Sequence, residues 1–219
     1  MTTFASLGLA EPVQRALAEL DHSTPTEIQA AALPTALAGK DLIACAQTGS
    51  GKTAVFALPW LSASAANPQQ GGRHPVALVL VPTRELANQV ADAFTAYGRH
   101  VRFRVGTVYG GVGYGAQLAM LSRGVDVLVA TPGRLIDHIE RGTVRLDGIR
   151  YLVLDEADRM LDLGFLPQVR RVIDEGRVPR TGRQTLLFSA TMPEQIAKLA
   201  ADYLHNPTRV EADAPMTAV

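Results

Sequence analysis

The sequence predicts an α/β fold: a mostly parallel, twisted sheet with helices on both faces. Three observations carry that expectation. Six short runs (residues 41–46, 76–81, 102–108, 125–130, 151–154 and 184–188) are continuously apolar rather than alternating, as strands covered on both sides are. Helical patterns fall between them, at 83–97, 132–141, 165–174 and 193–203, which calls for right-handed crossovers in a doubly wound sheet. The glycine-rich, acidic and hydroxyl-bearing segments follow the strand-like runs, where open parallel sheets hold their ligands.

Two helical patterns, 11–20 and 26–38, precede the first strand. Residues 41–46 then run into Ala46-Gln47-Thr48-Gly49-Ser50-Gly51-Lys52-Thr53. Gly49 and Gly51 let the backbone curl so that successive N–H groups point inward, and the helix that follows adds its positive end, which together make a phosphate cradle. Lys52 is placed to reach β- and γ-phosphates, and the Thr53 hydroxyl to ligate magnesium. Ala46 stands where the pattern G-x-x-x-x-G-K-[ST] has its first glycine and is small enough to keep the loop tight. Residues 62–74, rich in Ala, Gln, Gly and Pro, read as a mobile surface loop.

The run 151–154 ends at Asp155-Glu156-Ala157-Asp158. Asp155 is the candidate to hold magnesium through water, and Glu156 to orient and deprotonate an attacking water. The alternative for this quartet is an acidic helix N-terminus favoured by the dipole. The run 184–188 ends at Ser189-Ala190-Thr191, whose hydroxyls either lie beside the neighbouring carboxylates or cap the next helix. Beyond Arg209 the pattern is lost, and 210–219 reads as the start of a linker or a frayed end.

Bulk composition sets bounds. A chain of 219 residues with 47% hydrophobic content suits one large domain with a substantial core. With 21 basic and 21 acidic residues the net charge is zero, so any nucleic-acid contact has to be local. Cys45 is the only cysteine, which excludes an intramolecular disulfide, and the five histidines are scattered without metal-ligand spacing. The start lacks a basic segment followed by an apolar one, and no apolar span reaches membrane length, so a cytoplasmic location is expected. Arg170, Arg171, Arg177, Arg180 and Arg183, diluted by Asp174 and Glu175, read as a solvated face.

Asp155-Glu156-Ala157-Asp158 spells DEAD, and other segments complete a recognisable series. With Pro82-Thr83-Arg84-Glu85-Leu86-Ala87, Gly110-Gly111, Thr131-Pro132-Gly133-Arg134 and Ser189-Ala190-Thr191 in that order, the chain resembles the DEAD-box RNA helicases over essentially its whole length. Pro25-Thr26-Glu27-Ile28-Gln29 resembles the family's Q motif, with Phe4 at the place of its isolated aromatic, and the cluster 109–115 resembles the bacterial, RhlE-like subgroup.

The resemblance implies a RecA-like domain, the first of two in a helicase core. Residues 1–30 would be a flank with the Q motif, 31–209 the ATP-binding domain, and 210–219 the start of an interdomain linker or a frayed tail. ATP and Mg2+ are the implied cofactors. Gln29 would read the adenine edge with one amide donor and one acceptor, and Phe4 would pack on the ring, unless it serves only as an apolar foot. Asp158 would be coupled to Ser189 and Thr191.

RNA would be held by its sugar-phosphate backbone, without sequence preference, through Thr83, Arg84, Gly110, Gly111, Thr131, Gly133 and Arg134. For the two arginines a surface salt bridge is the alternative. The second RecA-like domain, with its arginine finger, is expected to be absent from this chain. The chain by itself is therefore expected to be monomeric and to bind adenine nucleotide, with negligible hydrolysis and no unwinding. The sequence departs from the family at Asp21 and His22, where glycine and a bulky residue are usual, at Glu27 in place of a second proline, and at Leu163 in place of methionine.

Overall fold

The computed structural model describes residues 2–67 and 72–212. A 3-10 turn at Phe4–Leu7 leads into α1 (Glu11–Glu19) and α2 (Glu27–Leu37). The alternation that follows is β1 (Leu42–Cys45), α3 (Lys52–Ala66), β2 (Ala77–Leu80), α4 (Arg84–Tyr97), β3 (Val105–Val108), α5 (Tyr114–Arg123), β4 (Val127–Ala130) and α6 (Pro132–Glu140). It continues with β5 (Tyr151–Leu154), α7 (Ala157–Asp162), α8 (Leu166–Glu175), β6 (Gln184–Ser189), α9 (Glu194–Tyr203) and β7 (Thr208–Glu211). The strands form one sheet in the order β3-β4-β2-β5-β6-β1-β7, and every pairing is parallel.

Continuous apolarity of the strands has the expected cause. Successive side chains point to opposite faces, and both faces are covered. Leu42, Ala44, Val79, Val129, Val153 and Phe188 pack with α1–α4, whereas Ile43, Leu78, Leu80, Leu128, Leu152 and Leu187 pack with α5–α9. The inner strands thus contribute to two cores at once.

Local signals set the helix ends. Thr26 and Gln29 form a reciprocal capping box at the start of α2, and the Thr83 hydroxyl accepts from the Leu86 N–H at the start of α4. Helix α1 ends in a Schellman arrangement: the His22 N–H donates to the Leu17 carbonyl at 2.9 Å, and the Asp21 N–H to the Ala18 carbonyl at 3.1 Å. Asp21 takes the left-handed position there, with φ +57°, which explains why glycine is the usual residue and why a short polar one is tolerated. Glu27 sits in the first turn of α2, where its charge suits the helix dipole.

Two expectations are corrected. Residues 62–66 are helical, as the last part of α3, rather than loop, because Ser62 and Ser64 are buried and the Ser62 hydroxyl accepts from the Ala10 N–H. Residues 68–71 of that segment lie outside the described residues. The chain beyond Arg209 also does not lose structure at once. Val210 and Glu211 complete β7, which pairs Leu42 with Thr208 and Cys45 with Glu211. This edge strand is short, largely exposed and carries Arg209 and Glu211, so it lacks the apolar run that marks a buried strand. Residues 213–219, the rest of the expected linker or tail, lie outside the described residues.

Candidate functional site

The strand order sorts the motif loops into two groups along one edge of the sheet. The loops after β1, β6 and β5, three consecutive strands, carry Ala46–Thr53, Ser189–Thr191 and Asp155–Asp158. Those after β2, β4 and β3, the next three, carry Pro82–Leu86, Thr131–Arg134 and Gly110–Gly111.

In the first group, Gly49 (φ +82°) and Gly51 (φ +89°) give the loop its curl. A Cβ on Gly51 would lie 2.4 Å from the Gln29 amide nitrogen, so only glycine fits. No side chain caps α3, and its first turn is free to meet an anion. Lys52 is 7% exposed and lies back along the loop, its Nζ donating to the Ala46 carbonyl at 3.0 Å, while Thr53 is half-buried one residue on. The Ser50 hydroxyl is buried without a hydrogen-bond partner among the described residues. An orphaned hydroxyl inside a curl of amides fits a phosphate group.

Asp155 is 3% exposed, and its Oδ1 accepts from the Glu156 N–H at 2.9 Å. Burial pushes its pKa up to about 6; nearby Lys52 opposes the rise and Glu156 adds to it. Among the described residues no cation lies within ion-pair distance of this carboxylate, and no group of three or more Asp, Glu, His or Cys could hold a metal by itself. A buried carboxylate facing a phosphate cradle suits a cation that draws its other ligands from phosphate and water. Glu156 is buried with φ +51°, an uncommon conformation for a non-glycine residue, and its carboxylate pairs with Arg159 at 3.3 Å.

Asp158 and the Ser189–Thr191 segment interlock. Asp158 Oδ2 accepts from the N–H groups of Ala190 and Thr191, each at 3.1 Å, and from the Thr191 hydroxyl at 3.3 Å. The Ser189 hydroxyl accepts from the Asp158 N–H at 3.1 Å and donates to the Thr191 carbonyl, so it meets backbone rather than a carboxylate. Thr191 does not cap α9, which starts at Glu194 with Pro193 at the cap position.

Gln29, 7% exposed, is reached through α2. Its Oε1 accepts from the Thr26 N–H at 2.9 Å and its Nε2 donates to the Gly51 carbonyl at 3.0 Å. The Thr26 hydroxyl donates to the Ser50 carbonyl at 2.8 Å. One amide proton and one lone pair of Gln29 remain for a ligand. Thr26 is a further site residue, and its T-x-x-Q spacing with Gln29 is the sequence signal that marks it. Phe4 is buried in the core with Leu17 and walls a cavity of about 560 Å³ that His22 and Asp21 also line. Its burial suits an apolar foot, and its place on the cavity wall leaves the ring-packing role open. Cys45 is half-buried, and burial pushes its thiol pKa up.

In the second group, Arg84, Gly110, Gly111 and Gly133 are exposed and Thr131 is half-buried. Thr83 is half-buried as the cap of α4. Arg134 differs. Its side chain is only 12% exposed, stacks over the Tyr114 ring at 4.5 Å and donates to the Val112 carbonyl at 3.0 Å. It braces the Gly110-Gly111 loop from behind instead of facing solvent. In the Arg170–Arg183 run, Arg170, Arg171 and Arg180 pair with Asp202, Glu140, Glu175 and Asp174, Arg183 bonds inward, and Arg177 is exposed.

The DEAD/DEAH box helicase family model matches residues 26–199. The DEAD-box ATP-dependent RNA helicase 52A of Oryza sativa subsp. japonica is 49% identical over 216 residues, covering 93% of this chain and 36% of that protein. The ATP-dependent RNA helicase DeaD of Mycobacterium tuberculosis is 50% identical over 213 residues, covering 97% and 37%. The chain thus spans little more than a third of the length of these relatives. The crystal structure of a DEAD box protein from the hyperthermophile Methanococcus jannaschii superposes with a TM-score of 0.87 at 35% identity, over 97% of this chain and 56% of that one. Its likeness marks the α/β fold as RecA-like. With the motif loops in family order on that sheet, the chain belongs to the DEAD/DEAH box helicase family.

Proposed function

We propose that this chain is the ATP-binding RecA-like domain of an ATP-dependent RNA helicase, in which ATP binding and hydrolysis are coupled to local unwinding of RNA. The observation that carries the reading is the division of the sheet edge. Lys52, Ser189–Thr191 and Asp155–Asp158 gather at the ends of β1, β6 and β5, and the exposed glycine and helix-start backbones at those of the adjoining three strands. Nucleotide and RNA would then share one surface while touching different loops, with the loop after β5 at the border.

Ala46, Gln47, Thr48, Gly49, Ser50, Gly51, Lys52 and Thr53 would hold the phosphates. Magnesium, held by Thr53 and Asp155, would supply charge neutralisation at the phosphates. Glu156 would orient and deprotonate water, and the Asp158 link to Ser189 and Thr191 would report the nucleotide state to the RNA side. Gln29 would complement an adenine edge with its spare donor and acceptor, while its other bonds prop the phosphate loop, and Phe4 would line the adjoining apolar wall. Thr83, Arg84, Gly110, Gly111, Thr131 and Gly133 would grip RNA phosphates and sugars, with affinity falling as salt rises.

A second RecA-like domain of the same protein would complete the site and provide the arginine finger, worth about 10³–10⁵ in rate where it acts. The relatives' greater length supports that partner. The proposed layout is residues 1–30 as flank, 31–209 as domain and 210–219 as linker, in a cytoplasmic protein whose isolated fragment is monomeric. No described helix is long and apolar enough to cross a membrane. The segment 109–115 supports a bacterial, RhlE-like placement, although neither relative described above carries that name.

The test is a thermal-unfolding titration with ADP and GDP in magnesium. At a hundredfold excess over its dissociation constant ADP should contribute about 2.7 kcal/mol, roughly 5–10 °C for a chain of this size. GDP should fall short by the ~1–3 kcal/mol of a bidentate adenine contact. In Gln29→Ala the preference between the two should vanish. The preference is the readout, because losing the Gly51 brace weakens both nucleotides. Equal stabilisation of the unaltered chain by ADP and GDP would refute adenine reading.

A further inference from the structure

The exposed Gly110-Gly111 pair sits on a loop pinned at both ends. Gln117, on α5 and only 6% exposed, donates from Nε2 to the Tyr109 carbonyl at 2.9 Å. Arg134, on α6, donates to the Val112 carbonyl at 3.0 Å. Between these anchors a Cβ on Gly110 or Gly111 would meet nothing within 4 Å, so the backbone itself is presented outward. Tyr109 packs against the core, whereas Val112 and Gly113 are exposed beside an open cleft of about 860 Å³ and have little packing to hold them. Beyond Tyr109, the loop is held by the two bonds.

The pins are joined to each other. Gln117 Oε1 meets Arg134 Nη1 at 3.4 Å and His138 Nε2 at 3.1 Å. His138 is fully buried, and its Nδ1 lies 2.8 Å from the Thr143 hydroxyl. Burial and the neighbouring Arg134 push its pKa down. A neutral ring that gives its Nε2 proton to Gln117 leaves Nδ1 as an acceptor facing the Thr143 hydroxyl, whose single proton is shared with the His138 carbonyl at 3.0 Å. The Tyr114 ring lies 4.5 Å from the Arg134 guanidinium and 4.4 Å from that of Arg141, which fixes the plane in which Arg134 reaches Val112. One amide side chain therefore links the glycine loop after β3 to the helix whose start carries Thr131 and Gly133.

We propose that Gln117 is a positioning residue that holds the Gly110-Gly111 loop and the start of α6 in a single register for gripping an RNA backbone. The inference rests on the RNA-facing assignment of these loops. Sugar-phosphate recognition by backbone groups needs spacing fixed across two loops, and a buried hydrogen-bonded network provides it. The amide is required in both its parts: the donor holds Tyr109, and the acceptor gathers Arg134 and His138.

The experiment uses this chain at low salt, with a labelled oligouridine for RNA affinity by anisotropy and a fluorescent ADP for nucleotide affinity. Gln117→Leu should weaken RNA binding about tenfold and leave ADP binding unchanged, since no bond of the network touches the phosphate loop. Gln117→Glu keeps the acceptor for Arg134 and His138, loses the donor to Tyr109 and should fall between. It also serves as the reporter if the leucine variant does not fold. Arg84→Ala is the control for the RNA face, because Arg84 is exposed and outside the network. RNA affinity lost in Arg84→Ala but retained in both Gln117 variants would overturn the inference and leave the RNA face standing. Parallel losses of RNA affinity, ADP affinity and melting temperature would reduce Gln117 to a structural residue. RNA binding unaffected by all three variants, or absent from the unaltered chain, would remove the RNA face itself.

Discussion

Replacing Asp155 with asparagine should stabilise the nucleotide-free chain, and the gain should depend on pH in a defined way. The carboxyl is 3% exposed and its pKa is raised from the usual 3.8 to about 6, chiefly by burial, with the attraction of Lys52 already opposing the rise. The folded state therefore binds this proton more tightly than the unfolded chain does. Below about 3.8 both states are protonated and the group costs nothing; as pH rises through the window from 3.8 to 6 stability is lost, and above about 6 the full penalty remains. The displacement corresponds to roughly 3 kcal/mol. Asparagine has nearly the same shape and no charge to bury. The variant should gain up to ~3 kcal/mol near neutral pH, about half of that at pH 5, and only ~0.5 kcal/mol at pH 4.

Urea unfolding followed by the fluorescence of Trp60, the single tryptophan and a buried one, measures this at each pH. Other carboxylates titrate in both proteins and cancel in the difference. A gain that does not shrink as pH falls would refute the electrostatic argument, as would an asparagine variant less stable than its parent at neutral pH. The stabilised variant should also lose magnesium-dependent nucleotide binding, because the penalty exists where a cation is to be held.

Three further outcomes follow from particular backbone positions. Gly51→Ala combines φ +89° with a Cβ 2.4 Å from the Gln29 amide, so it should destabilise by at least ~1–2 kcal/mol and weaken nucleotide binding; an unchanged urea midpoint would contradict the packing. Glu156→Gly should relieve the strain at φ +51° and raise stability by about 1 kcal/mol, whereas Glu156→Gln should leave stability near that of the parent. Both should abolish turnover in a two-domain protein, and persistent ATPase activity in Glu156→Gln would remove Glu156 as the base. Asp21→Gly, at φ +57° after α1, should add several tenths to 1 kcal/mol, and a loss of melting temperature there would count against the Schellman reading.

Much of the site was legible in the chain because it is built from local signals. The curl of the phosphate loop needs glycine at 49 and 51, and both have positive φ. Tyr151–Leu154 is a strand with the expected limits, since four apolar residues before an acidic turn leave no other reading. Other features were hidden because neighbours in space create them. Arg134 looked like a solvent-facing cation, and only the Tyr114 ring and the Val112 carbonyl turn it inward. Gln117 has no motif of its own. Its importance lies in three bonds to segments 8, 17 and 21 residues away. Strand β7 is hidden in the sequence for a related reason, because an exposed, charged edge strand is specified by the β1 edge it pairs with and not by its own apolarity.

By itself the sequence determined the alternation of strands and helices, the phosphate loop and the order of the motifs, all of which rest on residue type, spacing and local backbone preference. Only the tertiary structure decided which loops stand together. The order β3-β4-β2-β5-β6-β1-β7 separates the nucleotide loops from those proposed for RNA, and no local pattern encodes that permutation. It also decided that the Gln29 amide is half committed to the phosphate loop and that Asp155 holds its proton up to about pH 6. Hydrogen-bond commitment and desolvation belong to the surroundings of a side chain, and those surroundings exist only once the sheet has assembled.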